Sequence, residues 1–178
     1  MIKQLSTKIV YENKFMKVHE DQVEFPTGQT GLYAVIDKLD YSLIIPYENG
    51  HFYLVKQYRY PLKKESWEFP AGRTEGKDLP AEQVAKNELH EETGLLAGTM
   101  KKVGFLYAGP GGMNFGAHIF LATDLRQDKQ SLDESESGLS VHKISLEKFE
   151  EMIRTGEIAE SPTVSAYGLL KLKNLLPI

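Results

Sequence analysis

The chain has 178 residues, of which 41% are hydrophobic and 10% aromatic. This composition is sufficient for one buried core, and the length suits a single enzyme-sized domain with at most a small appendage. Its formal net charge of -4 gives no electrostatic reason to expect nucleic acid or an anionic membrane as a partner. The absence of cysteine excludes disulfides, a thiolate nucleophile and cysteine-based zinc sites. Neither a secretory signal nor a run of about 18 apolar residues is present, so we expect a cytoplasmic protein.

The first third of the sequence is rich in strand-forming residues. Its β-prone runs occupy residues 8–11, 16–25 and 33–37. Pro26-Thr27-Gly28-Gln29 provides turn-forming residues between the last two runs, so we expect a small antiparallel sheet. We therefore divide the chain into an N-terminal sheet, residues 1–38, and a main domain, residues 39–178.

The main domain is predicted to contain strands before and after one acidic helix. The strand patterns occupy residues 41–47, 52–59, 65–69, 101–107, 118–123 and 139–144. Asn49-Gly50 is typical of a hairpin turn and joins the first two strands. The helix is expected at residues 79–93, with Pro80 at its start and Gly94 at its end.

Residues 127–138 form a polar stretch with little to bury, which predicts a loop. Two more helices are expected after it, one capped by Ser145 and ending at Gly156, and a last one that starts at Ser161-Pro162. Helices on both faces of a mixed sheet define the expected fold class. It is an α/β fold, an α/β/α sandwich with a small N-terminal antiparallel sheet.

The acidic helix carries three closely spaced glutamates. Glu88, Glu91 and Glu92 have the spacing i, i+3 and i+4, so they share one helix face, where each like-charged pair costs about 0.2–0.5 kcal/mol. A hard divalent cation would offset this repulsion, because Mg²⁺ takes carboxylate, water and phosphate oxygens as ligands. The alternative is an ordinary solvated acidic face.

The segment from Gly72 to Leu95 resembles the Nudix box, whose pattern ends in Arg-Glu-hydrophobic-x-Glu-Glu-x-Gly-hydrophobic. Glu88-Leu89-His90-Glu91-Glu92-Thr93-Gly94-Leu95 matches this second half. Asn87 stands at the arginine position, and the interval from the glycine to Glu88 is one residue longer than usual. The resemblance implies a Mg²⁺ site, with Mn²⁺ as a second option. Its ligands would be Glu88, Glu92, the Ala71 carbonyl and Glu91, the last directly or through water.

Two further segments resemble ADP-ribose pyrophosphatases and related nucleoside diphosphate sugar hydrolases. Gln57-Tyr58-Arg59 is similar to a segment whose arginine reaches substrate phosphate, a use that suits a planar guanidinium. The alternative for Arg59 is a surface residue at a strand end. Pro110 stands where ADP-ribose-cleaving members carry a proline, although Tyr107-Ala108-Gly109-Pro110-Gly111 also fits an ordinary turn. The expected substrate-binding residues are Arg59, Glu68 and Pro110.

The resemblance implies hydrolysis in which water attacks one phosphorus of a P–O–P linkage. The water needs a carboxylate base, which many ADP-ribose pyrophosphatases carry in a loop before the last strand. That loop contains Asp133, Glu134 and Glu136 in this chain. Glu136 is the expected base and Glu134 the second candidate, and Glu91 completes the catalytic set. The alternative is that the loop acids only aid solubility.

The expected function is Mg²⁺-dependent hydrolysis of nucleoside diphosphate sugars, with ADP-ribose, cleaved to AMP and ribose 5-phosphate, as the best substrate. One alternative changes the substrate to GDP-mannose or another sugar nucleotide. A second is a non-catalytic nucleotide-binding module, motivated by Asn87 and the altered first half of the box. The resemblance also implies a homodimer formed through the N-terminal sheet, with no nucleic acid and no membrane as partner.

Overall fold

The computed structural model describes residues 1–73, 79–129 and 138–176. The chain divides into two compact units, Met1–Asp40 with Leu106–Ala117, and Tyr41–Phe105 with His118–Ile178. The strands are β1 Lys3–Glu12, β2 Lys17–Glu24, β3 Thr30–Asp37, β4 Tyr41–Glu48, β5 His51–Arg59, β6 Lys64–Glu68, β7 Ala71–Gly72, β8 Leu95–Tyr107, β9 Gly116–Gln127 and β10 Ser140–Ser145. The helices are α1 Ala81–Thr93, α2 Leu146–Thr155 and α3 Ser161–Leu172. Within the described ranges, no helix is long and apolar enough to cross a membrane.

The first unit contains a small antiparallel sheet in the order β1-β2-β3, as the sequence predicts. Strands β2 and β3 pair in continuous register from Lys17 opposite Asp37 to Glu24 opposite Thr30. Gly28 lies in their connection with a φ of 80°, a left-handed conformation that glycine adopts without steric cost. Strand β1 is longer than predicted, and all 10 of its residues are exposed. Pairing with β2, and not burial, therefore defines its length.

A histidine cluster, defined as His19 with Asp21, Asp37 and Thr7, joins the three strands of this sheet. The Nδ1 atom of His19 lies 2.9 Å from Asp21 Oδ1, and its Nε2 atom lies 3.3 Å from Asp37 Oδ2. Thr7 Oγ1 lies 3.4 Å from the same Nδ1 atom. The hydrogen bond to Asp21, together with the charges of both carboxylates, raises the pKa of His19 above its usual value.

The second unit is built on a seven-stranded mixed sheet. Strands β10-β5-β4-β9-β8 are consecutive, β6 also pairs with β5, and β7 pairs with β4. The central strand β4 is buried from Ser42 to Tyr47, and its nearly continuous apolar run is typical of a strand that is covered on both faces. The mixed sheet and the separate antiparallel sheet confirm the predicted α/β fold class.

Successive side chains of β5 point to opposite faces of this sheet and contact different helices. Phe52 packs on one face against Phe149 of α2 and Tyr167 of α3, with ring centroids 4.7 and 5.8 Å away. Tyr53 packs on the other face against the core cluster that contains Leu89 of α1. The helices therefore cover both faces of the sheet, as expected for an α/β/α sandwich.

Helix α1 turns a stripe of side chains towards the sheet. It follows Pro80 and ends at Gly94, whose φ of 68° is typical of a helix C-terminus. Its buried residues are Val84, Ala85, Glu88, Leu89, Glu92 and Thr93. Because Glu88 and Glu92 are one helical turn apart, both carboxylates lie on this inward stripe, whereas Glu91 is exposed.

Candidate active site

A pocket of about 300 Å³ lies in the second unit, where β4, β7 and the start of α3 meet. The residues that line it are Tyr41, Leu43, Arg59, Glu68, Phe69, Ala71, Gly72, Arg73, Glu160 and Pro162. Three residues that the sequence assigned to substrate or metal, Arg59, Glu68 and Ala71, are brought together here. The pocket is therefore the candidate active site.

Arg59 and Glu68 form a bidentate ion pair at the pocket wall. Arg59 Nε donates to Glu68 Oε1 at 2.8 Å, and Nη2 of the same guanidinium donates to Oε2. Glu68 is only 5% exposed, whereas the Arg59 side chain is 42% exposed. The hydrogen bonds to Glu68 raise the pKa of Arg59. Since a guanidinium has five N–H donors, this pair does not exhaust the capacity of Arg59 to bind an anion.

The backbone of Ala71 and Gly72 connects the pocket to the acidic face of α1. Ala71 N donates to Glu92 Oε2 at 3.1 Å. Gly72 lies so close to Glu88 that a Cβ atom at this position would overlap the carboxylate. Strand β7 holds this backbone in place, because Ala71 pairs with Leu43 of β4. Two buried carboxylates, 7% exposed at Glu88 and 3% at Glu92, thus lie against this backbone, which we call the pocket floor.

The donor set at the pocket floor fits a hard divalent cation that uses few protein ligands. In the part of the chain that is described, no three acidic or histidine side chains lie together as a metal-binding group, and Glu91 is exposed whereas Glu88 and Glu92 are buried. Mg²⁺ is usually held by one or two carboxylates, and waters and substrate phosphates complete its coordination.

Asn87 stands at the position of the signature arginine. Its side-chain oxygen accepts a hydrogen bond from Gln83 Nε2 at 2.9 Å, within the same helix.

Sequence reasoning missed three polar residues of the pocket, Tyr41, Arg73 and Glu160. Glu160 caps α3, because its carboxylate accepts a hydrogen bond from Thr163 N at 2.7 Å. Burial raises the pKa of the Glu160 carboxyl, and burial also raises the pKa of the Tyr41 hydroxyl to about 12. One sequence signal could have found Glu160. Pro162 lies in the first turn of α3, and the residue just before a helix often caps it with an acceptor side chain.

Besides the three box glutamates, which do not line the pocket themselves, three more predicted site residues are not described as part of it. Pro110 is exposed and belongs to the first unit, in a turn where Met113 N donates to Gly109 O at 2.8 Å. Glu134 and Glu136 lie outside the described residues. The identity of the catalytic base therefore stays a prediction.

Comparison with known proteins shows which proteins the chain resembles. The crystal structure of an ADP compounds hydrolase matches it with a TM-score of 0.86 and 21% identity, over 99% of this chain and 97% of that one, so the two share a fold. The ADP-ribose pyrophosphatase of Bacillus subtilis (strain 168) is 29% identical over 177 residues, 98% of this chain and 95% of the relative. The GDP-mannose pyrophosphatase of Enterobacter sp. (strain 638) is 32% identical over 101 residues, 56% of this chain and 52% of the relative.

Two family models match consecutive parts of the chain. Residues 2–36 match the nucleoside diphosphate sugar hydrolase N-terminal domain. Residues 39–164 match the NUDIX domain, and this match covers more than half of the chain, including α1 and every residue that lines the pocket. The resemblance inferred from the box is thereby confirmed, and the chain belongs to the Nudix family.

Proposed function

We propose that the protein is a divalent-metal-dependent Nudix pyrophosphatase that hydrolyses the diphosphate linkage of nucleoside diphosphate sugars. ADP-ribose is its best substrate, and the products are AMP and ribose 5-phosphate. The observation that carries the proposal is one pocket lined by both the Arg59–Glu68 pair and the backbone that contacts Glu88 and Glu92. The similarity to an ADP-ribose pyrophosphatase along nearly the whole chain supports the substrate class.

The charges around the pocket explain the need for a metal. Among the described residues that line the pocket or abut its floor, the cations are Arg59 and Arg73, and the carboxylates are Glu68, Glu88, Glu92 and Glu160. A diphosphate adds negative charge to this acidic, partly buried site and is repelled by it. Glu88, Glu92 and the Ala71 carbonyl would hold Mg²⁺ or Mn²⁺. The bound ion supplies charge neutralisation and Lewis acidity at the diphosphate.

Arg59 is the proposed phosphate-binding side chain. Its planar guanidinium suits two phosphate oxygens, and Glu68 holds it in one orientation through Nε and Nη2. Glu68 itself repels a phosphate, so its contribution to substrate binding acts through Arg59. Pro110 stays a proposed substrate contact, on the family resemblance alone.

A loop carboxylate is the proposed general base. Glu136 takes a proton from the attacking water as the new P–O bond forms, and the second phosphate leaves. Glu134 is the second candidate for this role. Glu91 is the third acid of the proposed catalytic set, and its exposure on α1 suits a contact made through water.

Turnover of a substrate panel tests the proposal. The purified protein is incubated with Mg²⁺ and ADP-ribose, GDP-mannose, other sugar nucleotides or dinucleotides, and release of nucleoside monophosphate is followed by chromatography. We expect the highest kcat/KM with ADP-ribose and no cleavage after chelation of the metal. A folded sample that cleaves nothing in the panel would refute the proposed catalytic activity. Nucleotide binding without cleavage would support the non-catalytic nucleotide-binding module instead.

GDP-mannose is the second candidate substrate. The similarity to a GDP-mannose pyrophosphatase over 101 residues supports it, and the longer match with the Bacillus subtilis relative favours ADP-ribose. The pocket residues assigned above act on the diphosphate, which both substrates contain. A kcat/KM that is higher for GDP-mannose than for ADP-ribose would decide for this candidate.

The proposal includes a cytoplasmic homodimer formed through the N-terminal sheet. Exposed apolar side chains of this sheet support it: Leu5, Ile9, Val10, Tyr11, Leu32 and Tyr33. Symmetric association removes such surfaces from water and covers strand edges.

The mass measured by light scattering should be twice the 20.1 kDa of the chain. The substitution Ile9→Glu should reduce this mass to that of the monomer, while the adjacent Lys8→Glu should not; a monomeric wild type would contradict the dimer.

A further inference from the structure

Thr163, in the first turn of α3, has a buried hydroxyl that bonds to a distant segment. The residue is 0% exposed. Its Oγ1 atom accepts a hydrogen bond from Phe69 N at 2.9 Å, across 94 residues of sequence. An N–H group buried without an acceptor is costly, so this contact fixes the start of α3 against residue 69.

Glu160 holds the backbone of Thr163. Its carboxylate accepts the hydrogen bond from Thr163 N at 2.7 Å, and the same side chain lines the pocket. Helix N-caps are normally Ser, Thr, Asp or Asn, and the longer glutamate is used here at the pocket wall. The first turn of α3 is therefore anchored to the candidate active site at two points, Glu160 and Thr163.

Residues 69–72 are held on three sides. Pro70 O accepts a hydrogen bond from Ile44 N of β4 at 2.9 Å. The N–H groups of the flanking residues, Phe69 and Ala71, donate to Thr163 of α3 and Glu92 of α1 respectively. The two helices therefore hold neighbouring points of one backbone segment.

We infer that Thr163 is a positioning residue for the metal ligands, acting through the backbone of residues 69–71. Without its hydroxyl, Phe69 N loses its acceptor and the segment can shift. The shift moves the Ala71 carbonyl and the Ala71 N–H that holds Glu92. Helix α3 thus contributes to the metal site without supplying a ligand. This inference rests on the proposed function, which assigns the ligands.

Two substitutions at Thr163 separate the hydrogen bond from the volume of the side chain. Thr163→Val replaces the hydroxyl with a methyl group, and Thr163→Ser retains the hydroxyl. The Mn²⁺ affinity is measured without substrate, from the electron paramagnetic resonance signal of the free ion. We expect affinity to fall about tenfold in the valine variant and by less than about twofold in the serine variant, the scale seen when groups that orient metal ligands are removed. At saturating Mn²⁺ the KM for ADP-ribose should stay unchanged, because the phosphate-binding Arg59 is not altered.

The outcomes distinguish positioning from a structural role. A valine variant with a lower Tm but the Mn²⁺ affinity of the serine variant would overturn the inference. If the valine variant does not fold, Glu160→Ala and Glu160→Gln replace it, because only glutamine keeps an acceptor for Thr163 N. The alanine variant should then bind Mn²⁺ several-fold more weakly than the glutamine variant, and equal affinities would overturn the inference. A wild type that binds no Mn²⁺ would instead refute the proposed function, and the inference with it.

Discussion

Replacing Arg59 with alanine should lower the stability of the protein. It removes both hydrogen bonds of the pair and leaves the charge of Glu68, which is 5% exposed, without this partner. Breaking a fully buried pair costs about 3–5 kcal/mol. Because the Arg59 side chain is 42% exposed, solvent screens the interaction, and we expect the free energy of unfolding to fall by about 2 kcal/mol. For a chain of 178 residues this lowers the Tm by about 4–8 °C.

The same substitution removes the proposed phosphate contact. A hydrogen bond to a charged group contributes about 1.5–3 kcal/mol, so kcat/KM for ADP-ribose should fall about 10- to 150-fold. Arg59→Lys keeps the charge and loses the planar fork. It should therefore retain part of the stability and recover only part of the activity.

Steady-state kinetics and thermal unfolding measure the two effects separately. The matched control is Arg154→Ala, since Arg154 pairs with Glu150 at 3.6 Å on the exposed side of α2. The control should change the free energy of unfolding by less than about 0.5 kcal/mol and leave kcat/KM unaltered. An Arg59→Ala variant whose kcat/KM stays within about twofold of wild type would refute the phosphate-binding role. An unchanged Tm would refute the estimate for the pair.

Three further predictions concern the box acids, the loop acids and the histidine cluster. Glu92→Gln keeps an acceptor for the Ala71 N–H but removes the negative charge. Metal-supported kcat should therefore fall at least about a hundredfold, with an unchanged circular dichroism spectrum, and Glu91→Gln should lower kcat less. Equal losses in the two variants would contradict the assignment of Glu92 as a metal ligand. Glu136→Gln should lower kcat about 10²–10⁴-fold with little change in KM, and Glu134→Gln should not; the reverse result would make Glu134 the base. Because the pKa of His19 is raised in the folded chain, its charged form stabilises the fold below the unfolded pKa of about 6.5, and this stability is lost as pH rises through the folded pKa. Urea unfolding should show a larger loss of stability in His19→Gln at about pH 5.5 than at about pH 9, and a pH-independent difference would refute this reasoning.

Local signals predicted most of the regular elements. The Asn49-Gly50 pair forms the expected hairpin turn, and both residues have positive φ, 49° and 77°. Ser145 caps α2 by accepting a hydrogen bond from Lys148 N at 3.2 Å, and Gly156 ends the helix with a φ of 78°. These features depend on residues that are close in sequence, so the sequence alone suffices to identify them.

Elements that depend on distant partners were missed or shortened. Strand β7 has only two residues and is recognised solely by its pairing with Ser42 and Leu43 of β4. Strand β8 was predicted from residue 101 but starts at Leu95. The prediction missed its first half because those residues are mostly exposed and include Gly98, which weakens the strand pattern. Hydrogen bonding to neighbouring strands, and not composition, sets these boundaries.

By itself, the sequence determined the family, the α/β class and the acidic chemistry of α1, because a motif and a helical period are local properties of the chain. Only the tertiary structure decided which acids contact the backbone that lines the pocket: Glu88 and Glu92 are buried against residues 71–72, while Glu91 is exposed. It also brought Glu160 to the pocket wall, from a helix far along the chain. Contacts such as the one between Phe69 and Thr163 join residues 94 positions apart, and no local pattern encodes them. Packing across the sheet establishes such contacts, and they arrange the candidate site.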